Sequence, residues 1–218
     1  MYGAFYGSTY GASVSLEEQM RVLEGLGLPV SADVRDRMEQ LMREYPDYKS
    51  YLESCPYPIL LSDMGYPEYD DDTWEVVAYS KDVYWLDMEM FGLEEGYAEL
   101  LEAIEAMSAG EVRMELESFK TDIVDWEEGT GTLTMAFRCN EHPYTVDVRV
   151  MSDWMDVGIL AKLNEVLAQE NCTSRLYFCG DAGQGLLLFY RDAEWAEDFE
   201  RLTGLELESG RERSEVEK

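Results

Sequence analysis

The sequence predicts an α+β protein: an antiparallel sheet built from two hairpin-helix units, covered by helices, with an N-terminal helical segment. Three observations predict it. The first hundred residues place apolar side chains at helical spacing behind capping residues. Residues 111–204 change to strict alternation interrupted by turn residues. Each alternating pair is then followed by an amphipathic helix, which supplies a cover for one sheet face. The chain divides accordingly into a flexible Tyr/Gly-rich start (1–14), a helical and acidic segment packed on the rest (15–110), a hairpin-helix-hairpin-helix core (111–204) and a polar, frayed tail (205–218).

In order along the chain, Ser15 and Glu18 form a capping box ahead of LEEQMRVLEG, and Gly25 and Gly27 end that helix. Ser31 caps a second helix, with Val34, Met38, Leu41 and Met42 on one face, and Pro46 stops it. CPYPILLSD carries two prolines and reads as a loop leading into a short strand. WEVVAYS reads as a strand, while VYWLDMEM is apolar without a decisive period. In LEEGYAELLEAIEAMSAG the residues Tyr97, Leu100, Leu101, Ile104 and Met107 form a core stripe, and Gly110 closes the helix.

VRMELESF alternates, GTG turns the chain, and TLTMAFRC sets Leu133, Met135, Phe137 and Cys139 on one side. After a turn at NEHP, YTVDVRVM sets Tyr144, Val146, Val148 and Val150 inward. Ser152 or Asp153 caps the helix that follows. RLYFCG and GLLLFY, joined at DAGQ, make the second hairpin, and Asp192 caps a last helix ending at Gly204.

Charge separates the function classes. The chain holds 17 basic and 47 acidic residues, a net of −30. Such a charge repels nucleic acid and anionic membranes, and it attracts and steers basic proteins. Neither a nucleic acid nor a membrane is therefore an expected partner. Acidity is also concentrated: residues 61–130 hold three basic and 21 acidic residues, so more than half of the excess lies in under a third of the chain. A salt-adapted protein would spread it more evenly, although five Lys against twelve Arg suits that alternative. MYGAFYGSTYGASV has no apolar run and does not read as a signal peptide, and no stretch approaches the ~20 apolar residues of a membrane helix. Cys55, Cys139, Cys172 and Cys179 read as reduced thiols, which places the chain in the cytoplasm.

No catalytic, metal or cofactor signature emerges. YDDDTWEV lacks the glycine and the distal Glu of a calcium loop. There is no C-x-x-C and no H-E-x-x-H, and the one histidine, His142, sits in a turn. GSTYGAS and GDAGQG lack the lysine of a phosphate loop. A carboxylate- or metal-dependent hydrolase remains the rival reading, because paired carboxylates abound.

The candidate site is a partner-binding face. Glu95, Glu99, Glu102 and Glu105 are like-charge neighbours at i+3 or i+4 on a helix without Lys or Arg, and each pair costs about 0.2–0.5 kcal/mol. Asp70, Asp71, Asp72 and Trp74, with Tyr66 and Tyr69 close by, add carboxylates beside aromatic contact area.

DWMDVGILAKLN, followed by RLYFCGDAGQGLLLFY, resembles a pattern in small uncharacterised bacterial proteins, some of which resemble immunity partners of polymorphic toxins. Asp153, Trp154, Asp156, Leu163, Asn164, Asp181, Gln184 and Gly185 carry the resemblance, and WLDMEM with YAELLEAIEAMSAGE belongs to the same pattern. It covers about half the chain and implies binding and neutralisation of a toxin, with no catalytic group. Together with the charge it gives the expected partner: a basic protein such as a toxin-like nuclease.

Overall fold

The computed structural model describes residues 13–70, 72–90, 92–181 and 183–210. The fold is α+β with antiparallel sheets, as the sequence predicts.

The N-terminal helices form where the caps put them. Ser15 accepts from the Glu18 amide at the start of α1 (Leu16–Gly25), and Ser31 accepts from the Val34 amide at the start of α2 (Ala32–Glu44). Pro46 does stop α2, but it also starts α3 (Pro46–Ser54), since a first-turn proline has no amide to satisfy. The same physics corrects the expected loop and strand at CPYPILLSD. Pro58 opens a helix, α4 (Pro58–Gly65), whose Leu60, Leu61 and Met64 are buried. Gln19, fully buried, ties these helices together. Its amide donates to the Val14 and Leu52 carbonyls, and its oxygen accepts from the Tyr57 amide at 2.9 Å.

The strands do not share one sheet, contrary to expectation. A ribbon pairs β1 (Glu68–Tyr69) with β2 (Val76–Ala78). The ambiguous VYWLDMEM contains β3 (Tyr84–Asp87), which pairs with β8 (Gly185–Arg191), itself paired with β7 (Arg175–Gly180). β4 (Met114–Asp125), β5 (Thr130–Cys139) and β6 (His142–Met151) form a separate three-stranded meander. Burial explains the division. β8 is apolar towards both faces, so it must be central and covered twice, whereas β5 and β6 alternate and leave one face to water.

Between the two sheets lie α5 (Leu93–Met107) and α6 (Gly158–Gln169), in a core with Leu133, Phe137, Val148 and the Leu186/Leu188 face of β8. On the other face of β8, Leu187 and Phe189 pack with α1, α2, α4 and α7 (Ala193–Thr203). The predicted stripe of α5 is buried throughout, as are the inward residues Leu133, Met135, Phe137 and Cys139 of β5.

Two further expectations are corrected. α6 begins at Gly158, not behind Ser152 or Asp153, because residues 152–155 give their backbone to the sheets. The Ser152 amide donates to the Gly129 carbonyl, Met90 donates to Asp153, and Met155 donates to Met88. Nor is the whole tail frayed. Leu205 and Leu207 are buried, and Glu208 exchanges two 2.8 Å backbone hydrogen bonds with Phe178 on the edge of β7. The expected flexible start lies outside the described residues except for Ser13 and Val14, as does the tail beyond Gly210. Among the described residues no disulfide joins the cysteines, and Cys139, Cys172 and Cys179 are buried. Among the described residues no helix is long and apolar enough to cross a membrane.

Candidate functional site

Within the acidic third of the sequence, α5 and the β1–β2 ribbon lie beside each other. Packing of the apolar stripe of α5 against β3, β4 and β8 turns its glutamate side outward. Tyrosines from the ribbon and β3 then settle against that side. The Tyr79 hydroxyl donates to Glu102 Oε2 at 3.0 Å, and the Tyr79 ring meets Tyr84 edge-on at 5.8 Å. Glu99 lies close enough to Tyr69 and Tyr84 for its charge to raise both phenols, after burial has done most of that work.

Glu99 itself is half-buried. Burial, followed by the charges of Glu102 and Glu95, raises its carboxyl above the ordinary range. Glu95 and Glu102 are exposed. Glu105 serves the fold instead, since its Oε2 accepts from the Met114 amide at 2.8 Å and fixes the start of β4. An open groove of about 520 Å³ runs between Glu102, Glu105, Arg113 and Glu115.

At the ribbon tip, Asp70 Oδ1 accepts from the amides of Asp72 and Thr73, and these bonds hold the carboxyl below its usual value. Asp72 is exposed, and Asp71 lies outside the described residues. Trp74 is 79% exposed with φ +60, in the left-handed region that bulky residues avoid. Its ring buries little and its backbone is strained, so folding does not explain a tryptophan there.

The structure thus puts Asp70, Asp72 and Trp74 on a ribbon next to Glu95, Glu99 and Glu102, with Asp70 and Glu105 also engaged in the fold. Unpaired charge distinguishes the region. Among the described residues, ion pairs within 61–130 reach only Asp63, Asp82 and Glu117, held by Arg37, Arg191 and Arg138.

Sequence reasoning missed a second group beside the ribbon. Trp85 Nε1 donates to Asp181 Oδ2 at 2.7 Å, and the Tyr66 ring contacts both Trp85 (5.4 Å) and Tyr69 (5.7 Å). Two glycines permit this. A Cβ on Gly65 would meet the Trp85 amide nitrogen at 2.7 Å, and one on Gly185 would meet Trp85 Nε1 at 2.3 Å. The Gly-rich DAGQG was the available signal.

The histidine has a structural occupation. His142 Nδ1 is 2.8 Å from Glu170 Oε1, and Glu170, whose side chain is only 6% exposed, also accepts from Tyr144 and Asn140. These bonds, Tyr144 foremost, hold Glu170 ionised, which suits a latch between the end of α6 and the β5–β6 turn better than a general base. Burial pushes the nearby Cys139 thiol up to about 12, the reverse of an activated nucleophile. Among the described residues no three or more His, Cys, Asp and Glu converge to hold a metal ion.

The chain was compared with protein-family models, curated proteins and solved structures, and none matches.

Several of the positions on which the expected resemblance rests have work in this fold. Asp156, buried, takes hydrogen bonds from the Arg149 side chain and from the Arg149 and Gly158 amides. Asn164 bonds both the amide and the carbonyl of Leu176 and the carbonyl of Ser209. Gln184 donates to Asp87 at 2.9 Å.

Proposed function

We propose that this chain acts without catalysis, as a stoichiometric acidic binding protein that sequesters a basic macromolecular partner. Its most concrete form is a cytoplasmic immunity protein for a toxin such as a nuclease. Glu95, Glu99, Glu102 and Asp72 occupy the places of phosphates against the cationic groove of the partner, and Trp74 supplies an exposed aromatic anchor.

The observation that carries this reading is the uncompensated charge of one surface. α5 and the ribbon hold their carboxylates without an ion-pair partner among the described residues, although the rest of the chain pairs several of its own. Internal stability gives no reason to gather them there, since like charges at i+4 repel.

The test is a pull-down from the native cell at low salt, using wild-type protein and the Glu95→Lys/Glu99→Lys/Glu102→Lys variant. A basic protein retained by the wild type, released by salt and lost with the variant supports the reading. Equal retention by both refutes it.

A further inference from the structure

The group around Tyr66 is built more rigidly than an exposed patch requires. Tyr66 is 56% exposed, and its ring is flanked by Tyr69 and Trp85 at 5.7 and 5.4 Å. Carboxylates surround these rings. Asp181 Oδ2 accepts from Trp85 Nε1, while its Oδ1 accepts from the amides of Gly183 and Gly185 at 2.7 and 3.1 Å. Asp87 Oδ1 accepts from Gln184 Nε2 and from the Glu89 amide. Asp87 and Glu99 both act electrostatically on the Tyr69 hydroxyl.

Every donor recorded on Asp87 and Asp181 is neutral, so the two carboxylates are fixed in place without being neutralised. Among the described residues no Lys, Arg or His pairs with Asp87, Glu99 or Asp181. The aromatic faces and the carboxylates therefore favour the same occupant, a cation with a flat face.

Given a basic partner of the kind proposed above, we propose that the Tyr66–Tyr69–Trp85 ring group, rimmed by Asp87, Glu99 and Asp181, seats one arginine side chain of that partner. A guanidinium stacks on the exposed part of the Tyr66 ring and directs its N–H donors at the carboxylates. The ammonium of lysine matches the charge but neither the plane nor the fork. Trp85 is a positioning residue here, holding Asp181 through its indole N–H and packing against the Tyr66 ring.

Nona-arginine and nona-lysine peptides titrated into the full chain test this, followed by the Trp85 indole N–H and the Gly185 amide in nitrogen-correlated NMR spectra. The Trp85 signal is assigned through Trp85→Phe. The arginine peptide is expected to shift both signals and to bind about five- to tenfold more tightly than the lysine peptide. Tyr66→Leu removes that preference, and Tyr66→Phe, which keeps the ring, retains it. Equal affinities unchanged by Tyr66→Leu, or binding that leaves the Trp85 signal in place, overturns the seat. Charge reversal at Glu95 and Glu102, outside the ring group, separates the two ideas. If reversal weakens both peptides while Tyr66→Leu has no effect, the seat is wrong and the acidic-face reading stands; if neither change matters, both fall.

Discussion

Replacing Glu99 by glutamine should make the protein more stable and a poorer binder. Glu99 neighbours Glu95 at i−4 and Glu102 at i+3 on α5, and both charges push its carboxyl upward after burial has done so. Glutamine keeps the shape and has nearly the same helix propensity. The change removes two like-charge pairs, about 0.4–1 kcal/mol together, and the cost of holding a charge half out of water adds to that.

The sign follows from the direction of the shift. A carboxyl raised by folding binds its proton more tightly in the native state, so its penalty is absent below the unfolded value of about 4.3. The penalty grows as pH rises through the folded value and is complete at neutrality. Urea unfolding followed by circular dichroism should therefore show Glu99→Gln about 0.5–1 kcal/mol more stable at pH 7 in low salt. The gain should shrink with added salt and vanish below about pH 4. A variant that is less stable at pH 7, or a gain independent of pH, would mean that Glu99 has a stabilising partner and that the surface is not kept at the expense of stability.

Other outcomes follow from the same contacts. Gly185→Ala forces a methyl to within 2.3 Å of Trp85 Nε1 and should cost about 1–3 kcal/mol in urea unfolding, with much of the loss absent in a Trp85→Phe background. Asp156→Ala should cost about 2–4 kcal/mol at pH 7. Burial opposes the Asp156 charge, but the bonds from Arg149 and Gly158 outweigh it and lower the carboxyl. That stabilisation is present above the unfolded value of about 3.9 and lost as pH falls through the folded one, so the variant should lack this part of the acid limb. Trp74→Gly should leave stability within about 1 kcal/mol, because glycine tolerates the left-handed turn, and should still weaken partner binding; a larger loss would assign Trp74 to the fold.

Local pattern carried much of the fold. The α5 stripe and the inward faces of β5 and β6 were legible because each repeats a single period over ten or more residues. α4 was not, since two prolines read as breakers although one of them suits a first helical turn. The pairing of β3 with β8 joins segments about a hundred residues apart, and nothing in YWLD names its partner. LELE at 205–208 alternates like a strand, but the polar residues around it masked that signal.

For the site, like-charge spacing exposed the α5 glutamates, because a helix fixes which residues are neighbours. The Tyr66, Trp85 and Asp181 group draws on three separate segments, and although Asp181 stands among the positions of the resemblance, nothing in the sequence ties it to Trp85 or Tyr66. Glu105 sits on the same acidic run as its neighbours, yet the backbone of β4 takes its oxygen, a contact that sequence spacing does not encode.

A charge-matched comparison addresses the binding face most directly. One variant neutralises Glu95, Glu99 and Glu102 to glutamine, and the other neutralises the exposed Glu165, Glu194 and Glu197 on α6 and α7. Both lose the same net charge, so calorimetric titration with an arginine-rich peptide at about 0.1 M salt isolates where the charge lies. Affinity about tenfold lower for the first and less than twofold changed for the second is the expected result. Equal losses in the two would mean that the peptide responds to overall acidity and that α5 presents no dedicated surface.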